Sequence, residues 1–146
     1  RLVGGFEFPS PGIGNLSKEP GYMGQELLNP PSVEGWHTGP EWINSGALMK
    51  RINFTADMVG DVTKPGVLAI VGRVRAQGDL SSETFVDACL DLMGPMEVTE
   101  DTRKELVEHA SESGTLSWGA TSDGDSAERV GEMLQLIVST REYQYT

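Results

Sequence analysis

The sequence predicts an all-α fold, a helical bundle of about five helices with a loop-rich Gly/Pro N-terminal third. Three observations carry that prediction. Apolar residues recur at helical spacing in five stretches of the later chain. Ser, Thr or Pro stands where those stretches begin, and Gly where most of them end. Residues 1–40, by contrast, are rich in Gly and Pro and lack sustained periodicity. At 146 residues, with 38% of them hydrophobic, the chain reads as a single helical domain with a real core.

Taken in order, "GGFEFPSPGIGNLSKEPG" (residues 4–21) reads as an irregular, ordered loop anchored by Phe6, Phe8 and Ile13. "YMGQELLN", from Tyr22, reads as a short helical turn that Pro30 and Pro31 end. Pro40 and Glu41 fit the first turn of a helix whose apolar face is Trp42, Ile43, Ala47, Leu48, Ile52 and Met58, closing by Gly60. Pro65 opens the next element, with Val67, Leu68, Val71 and Val74 as its face and Gly78 as its stop. Its Val and Ile content leaves helix and strand both open. Ser81 or Ser82 caps a helix carrying Phe85, Val86, Cys89, Leu90 and Met93 inward, closed by Gly94 and Pro95. Thr99 precedes an acidic helix with Leu106, Val107 and Ala110 inward and Gly114 as its end. A loop anchored by Trp118 follows. Ser126 caps a last helix, where Val130, Met133, Leu134, Ile137 and Val138 hold a strong 3.6-residue period.

Net charge is −11, which repels phosphate backbones and argues against nucleic acid and anionic membranes as partners. No apolar run reaches the roughly 20 residues that span a bilayer, and no charged-then-apolar leader is seen. Arg1 at the start reads as a piece of a longer or processed protein. Cys89 is the lone cysteine, so neither an internal disulfide nor a multi-cysteine zinc site forms.

Three clusters compete as sites. Trp36 and Trp42 flank a Gly-Pro turn beside Glu34, His37 and Glu41, a grouping that can grip a sugar or a cation. The competing and commoner arrangement is a loop pinned by its tryptophans to the bundle, for which Trp36→Ala costs about 3–5 kcal/mol. Pro40 between His37 and Glu41 spoils helical metal-ligand spacing there. Glu105, Glu108, His109 and Glu112 share one helix; Glu105 and His109 share a face, and a solvated acidic face is the simpler reading. Asp123, Asp125 and Glu128 in "SDGDSAE" are the calcium candidates, short of a full calcium-loop register; a capped turn is the alternative. No P-loop, dinucleotide fingerprint or GxSxG elbow occurs, and no catalytic constellation emerges.

The stretch "GQELLNPPSVEGWHTGPEWINSGALMKRINF" resembles the signature of a large bacterial family known only as domain of unknown function 1800. Gly24, Gln25, Leu27, Pro30, Pro31, Val33, Gly35, Trp36, Gly39, Trp42, Ile43, Asn44, Arg51 and Phe54 carry the match. The end, "RVGEMLQLIVSTREYQ", is similar to the family's closing helix and its tail. The resemblance implies a C-terminal portion of a longer, exported bacterial protein, hence an extracytoplasmic location. It implies a sulfatase-like exported protein as a partner, and it brings no catalytic residues to carry over. Two functions follow as expectations: an interaction or assembly module, or the C-terminal part of an extracytoplasmic enzyme acting on a polymeric or sulfated substrate.

Overall fold

A computed structural model describes residues 18–26, 28–35, 44–119 and 122–145. Among them lie α1 (Glu19–Tyr22), α2 (Ser45–Gly60), α3 (Pro65–Arg75), α4 (Ser82–Met93), α5 (Glu100–Glu112), α6 (Asp123–Ser139) and α7 (Arg141–Tyr145). The chain is all-α, and five of these helices are long, as the apolar spacing predicts. Extended pairing among the described residues is limited to two isolated bridges, Ser32 with Gly35 and Leu80 with Leu116.

The strongest apolar stripe becomes the central helix. α6 packs against α2, α3, α4, α5 and α7, and Val130, Met133, Leu134, Ile137 and Val138 are all buried on it. These positions follow the 3.6-residue repeat, so one face of α6 faces the core for its whole length. The approach of α2 to α6 is close. A Cβ on Gly131 would lie 2.9 Å from Val62 Cγ1, so the glycine makes room for the turn after α2. Gln135 crosses the same seam and donates from Nε2 to Ala56 O at 3.1 Å.

Four of the five long helices begin at a side-chain cap or a proline. Asn44 Oδ1 accepts from Ala47 N at 2.8 Å, and Ser81 and Thr99 make the same kind of cap on α4 and α5. Pro65 occupies the first turn of α3, where its missing N–H costs nothing. The element left open between helix and strand is therefore helix: its apolar residues Val67, Val71 and Val74 follow i, i+4, i+7 and are buried together. Gly78 and Gly114, at φ +81° and +68°, end the segments after α3 and α5 in the left-handed region. Between them the loops cross, and Leu80 and Leu116 exchange both backbone hydrogen bonds at 2.9 Å while burying their side chains.

Four local expectations are corrected. α2 begins at Ser45 rather than Pro40, because Asn44 takes the cap; Pro40, Trp42 and Ile43 lie outside the described residues. Leu68 is 52% exposed, since it sits 100° around the helix from the Val67–Val71 line. The short helix is Glu19–Tyr22, ahead of the stretch beginning at Tyr22, with Pro20 in its first turn. Ser126 is not a cap. α6 starts at Asp123, and Ser126 is buried within it, its Oγ donating to Ser117 O at 2.6 Å. That bond satisfies a loop carbonyl where the chain enters the core. The anchors Phe6, Phe8 and Ile13 lie outside the described residues.

Cys89 is fully buried, and burial pushes its thiol up to about 12. A thiolate is suppressed there, so Cys89 acts as a small core residue rather than a nucleophile.

Candidate functional site

The loop after α1 is built by short-range hydrogen bonds. Gln25 N–H donates to Pro20 O at 2.7 Å and Asn29 N–H to Glu26 O at 3.2 Å. Asn29 Nδ2 reaches Glu26 Oε2 at 2.9 Å, tightening the same turn. Leu28 stands inside that turn at φ 62°, a conformation that Gly or Asn usually supplies. Pro30 and Pro31 then extend the chain, and a second turn closes from Gly35 N–H to Ser32 O at 3.1 Å. Gly35 adopts φ +102°, which explains a glycine at this point.

The outcome is a hydrogen-bonded tip that turns Leu28 and Val33 outward. Leu28 is 96% exposed and Val33 is fully exposed, with Pro30, Pro31 and Glu34 exposed between and beside them. Burying a Leu or Val side chain is worth about 1.5–3 kcal/mol, and neither residue takes that gain against the described residues. Glu34 is placed at this tip, its backbone N–H on Ser32 Oγ at 3.3 Å. Trp36, His37 and Trp42 lie outside the described residues.

The other predicted clusters are placed as follows. Asp123 and Asp125 lie in the first turn of α6, with Glu128 one turn further along the same helix. Asp123 Oδ2 pairs with Arg75 Nη1 at 3.0 Å, and the Arg75 guanidinium lies 5.9 Å from the Trp118 ring. Asp125 and Glu128 are exposed. No group of three His, Cys, Asp or Glu side chains able to hold a metal occurs among the described residues. Glu105 and His109 do share a face: both line a shallow groove of about 270 Å³ with Leu106, Leu136 and Thr140.

Two residues that sequence reasoning did not single out organise the bundle's ends. Glu142 on α7 reaches the start of α5, where its Oε1 accepts from Thr102 Oγ1 at 2.8 Å and Thr99 N–H at 3.2 Å. Its own backbone N–H, the Thr102 hydroxyl and the Thr99 N–H together hold its carboxyl down at about 2. Arg129 serves the other end of α5. Its guanidinium donates to Gly114 O at 2.7 Å, Thr115 O at 3.2 Å and Ala110 O at 3.4 Å. Such long-range partners leave no periodic mark in a sequence. The available signal was the family-like tail "STREYQ", which contains Glu142.

The Glu142 clasp has a pH signature. Its folded value, about 2, lies below the free value of 4.5. The clasp therefore contributes fully above the free value and is lost as pH falls towards the folded one. Glu142→Ala is expected to cost about 1 kcal/mol at pH 7, the size of a lost helix cap. Urea unfolding of both proteins at several pH values should show that gap shrinking below about pH 4.5. A gap independent of pH would mean the carboxylate charge plays no part.

A family model described as "Protein of unknown function (DUF1800)" matches residues 12–145, which include both the exposed tip and the Glu142 clasp. No curated protein and no solved structure matches the chain.

Proposed function

From the premise that the chain belongs to the DUF1800 family of proteins of unknown function, we propose that it is an interaction or assembly module of an exported bacterial protein. One observation carries this reading: the tip bearing Leu28, Pro30, Pro31 and Val33 holds its apolar side chains in solvent on a hydrogen-bonded frame. Adjacent apolar groups fixed outward favour burial against another surface. Pre-set turns and two prolines lower the ordering cost of that burial. Glu34 at the edge supplies a polar rim. The partner in this reading is a protein, with a sulfatase-like exported protein as the first candidate and an extracytoplasmic site of action.

The test is capture from native envelope and extracellular fractions, using the chain as bait beside a folded Leu28→Asn, Val33→Ser variant. The reading expects a sulfatase-like protein on the wild type and its loss from the variant. Equal capture by both would remove the tip as the recognition surface.

A further inference from the structure

A cleft between α2 and α7 has its own chemistry. It measures about 300 Å³ and is lined by Leu48, Ile52, Ser139, Arg141, Gln144 and Tyr145. Leu48 and Ile52 are half-buried and Tyr145 is 50% exposed, so apolar groups form its walls near the opening.

Charge singles the cleft out. The chain carries −11, yet no carboxylate of the described residues lines this surface. Arg141 is exposed, and its guanidinium lies 5.7 Å from the Tyr145 ring. It has no carboxylate partner among the described residues, whereas Arg75 and Arg103 are paired with Asp123 and Asp87. The cleft is thus a cationic spot on an acidic molecule, and it attracts anions.

Gln144 adds a specific demand. It is 2% exposed, and its Nε2 donates to Val138 O at 2.6 Å, which fixes the orientation of the amide. Its Oε1 is buried and has no hydrogen-bond partner among the described residues. A buried amide oxygen without a donor is rare and marks a place where a donor belongs.

We propose that this cleft takes the carboxyl-terminal residue of an extended partner peptide that ends in an aliphatic side chain. The terminal carboxylate pairs with the Arg141 guanidinium in a charge-assisted contact. The aliphatic side chain covers Leu48, Ile52 and Tyr145. The peptide's last N–H is the donor that Gln144 Oε1 lacks; that bond forms only as the cleft opens around the buried amide, and a simple fatty acid has no N–H to make it. An open cleft of this size suits one or two residues, with the rest of the peptide running out into solvent.

The probe is a fluorescent six-residue peptide ending in leucine with a free carboxylate. Its C-terminal amide and hexanoate serve as comparisons. Binding is read by anisotropy and by amide resonances of the isotope-labelled protein. The expected result is saturable binding that shifts Ile52, Gln144 and Tyr145. Amidation, or Arg141→Gln in a protein checked for its helical signal, should weaken binding by about tenfold or more, the size of one lost charge-assisted hydrogen bond. Equal affinity of acid and amide would overturn the proposal, as would an absence of saturable shifts at millimolar peptide. Hexanoate binding as tightly as the peptide would also overturn it, in favour of a small-acid site. The Leu28→Asn, Val33→Ser protein should bind the peptide like wild type, so the cleft and the tip stand or fall separately.

Discussion

Phe85→Ala is expected to lower the unfolding free energy by about 3–5 kcal/mol, the usual cost of emptying a buried aromatic position. Phe85 is 1% exposed and belongs to the core cluster that joins α3, α4, α5 and α6. The Arg129 guanidinium lies 6.0 Å from its ring centroid, so the ring also supports a charged group above it. Removing the ring leaves a void that helices fixed by the Leu80–Leu116 crossing cannot collapse around, because that crossing is held by two backbone bonds. Urea unfolding monitored by helix signal measures the change. A loss under about 1 kcal/mol would place Phe85 at a surface, contrary to its burial.

Arg129→Met is expected to cost about 2 kcal/mol. The methionine keeps most of the aliphatic stem and loses the donors. Those donors satisfy carbonyls of Ala110, Gly114 and Thr115 at the end of α5, where a helix has no internal partners to offer. Hydrogen bonds from a charged donor are worth roughly 1.5–3 kcal/mol, and partial exposure holds the sum near the low end. The effect should be local as well as global. Amide exchange at residues 112–116 should accelerate in the variant more than exchange within α4. Uniform acceleration would mean that Arg129 acts through overall stability alone.

The two variants mark the boundary of what the sequence makes legible. Phe85 was readable because its stripe, with Val86 and Cys89, repeats at helical spacing and buries as a unit. The same logic places Val67, Val71 and Val74, and all five apolar positions of α6. Caps were readable where Ser81 and Thr99 precede a helix, because the capping bond spans three residues. The cap at Asn44 was missed, since Pro40 offered a competing start signal four residues earlier. Arg129 and Glu142 were not readable as clamps. Arg129 bonds carbonyls 14 to 19 residues away, and Glu142 bonds hydroxyls 40 to 43 residues away. Only the packing of α6 and α7 on α5 brings these groups together.

The candidate site divides along the same line. A double proline with glycines near it announces a loop, and that much followed from residue chemistry. Whether its apolar members turn inward or outward did not follow, because two-residue turns can direct a side chain either way. Leu28 and Val33 are outward, while the anchoring read for Trp36 and Trp42 falls on residues outside the described ones. Glu105 and His109 met as their i, i+4 spacing predicts, in the groove against α6. Asp123 illustrates the converse. Its side chain is committed to Arg75 from a helix distant in sequence, a partner that local spacing does not reveal.

Under the proposed function, the tip at Leu28 and Val33 is kept for recognition and contributes nothing to the core. The most direct test is the unfolding free energy of the Leu28→Asn, Val33→Ser protein by urea titration. The expected value lies within about 0.5 kcal/mol of wild type, as for exposed positions without structural partners. A loss of about 2 kcal/mol or more would contradict it, because only side chains already buried in this chain can cost that much when replaced.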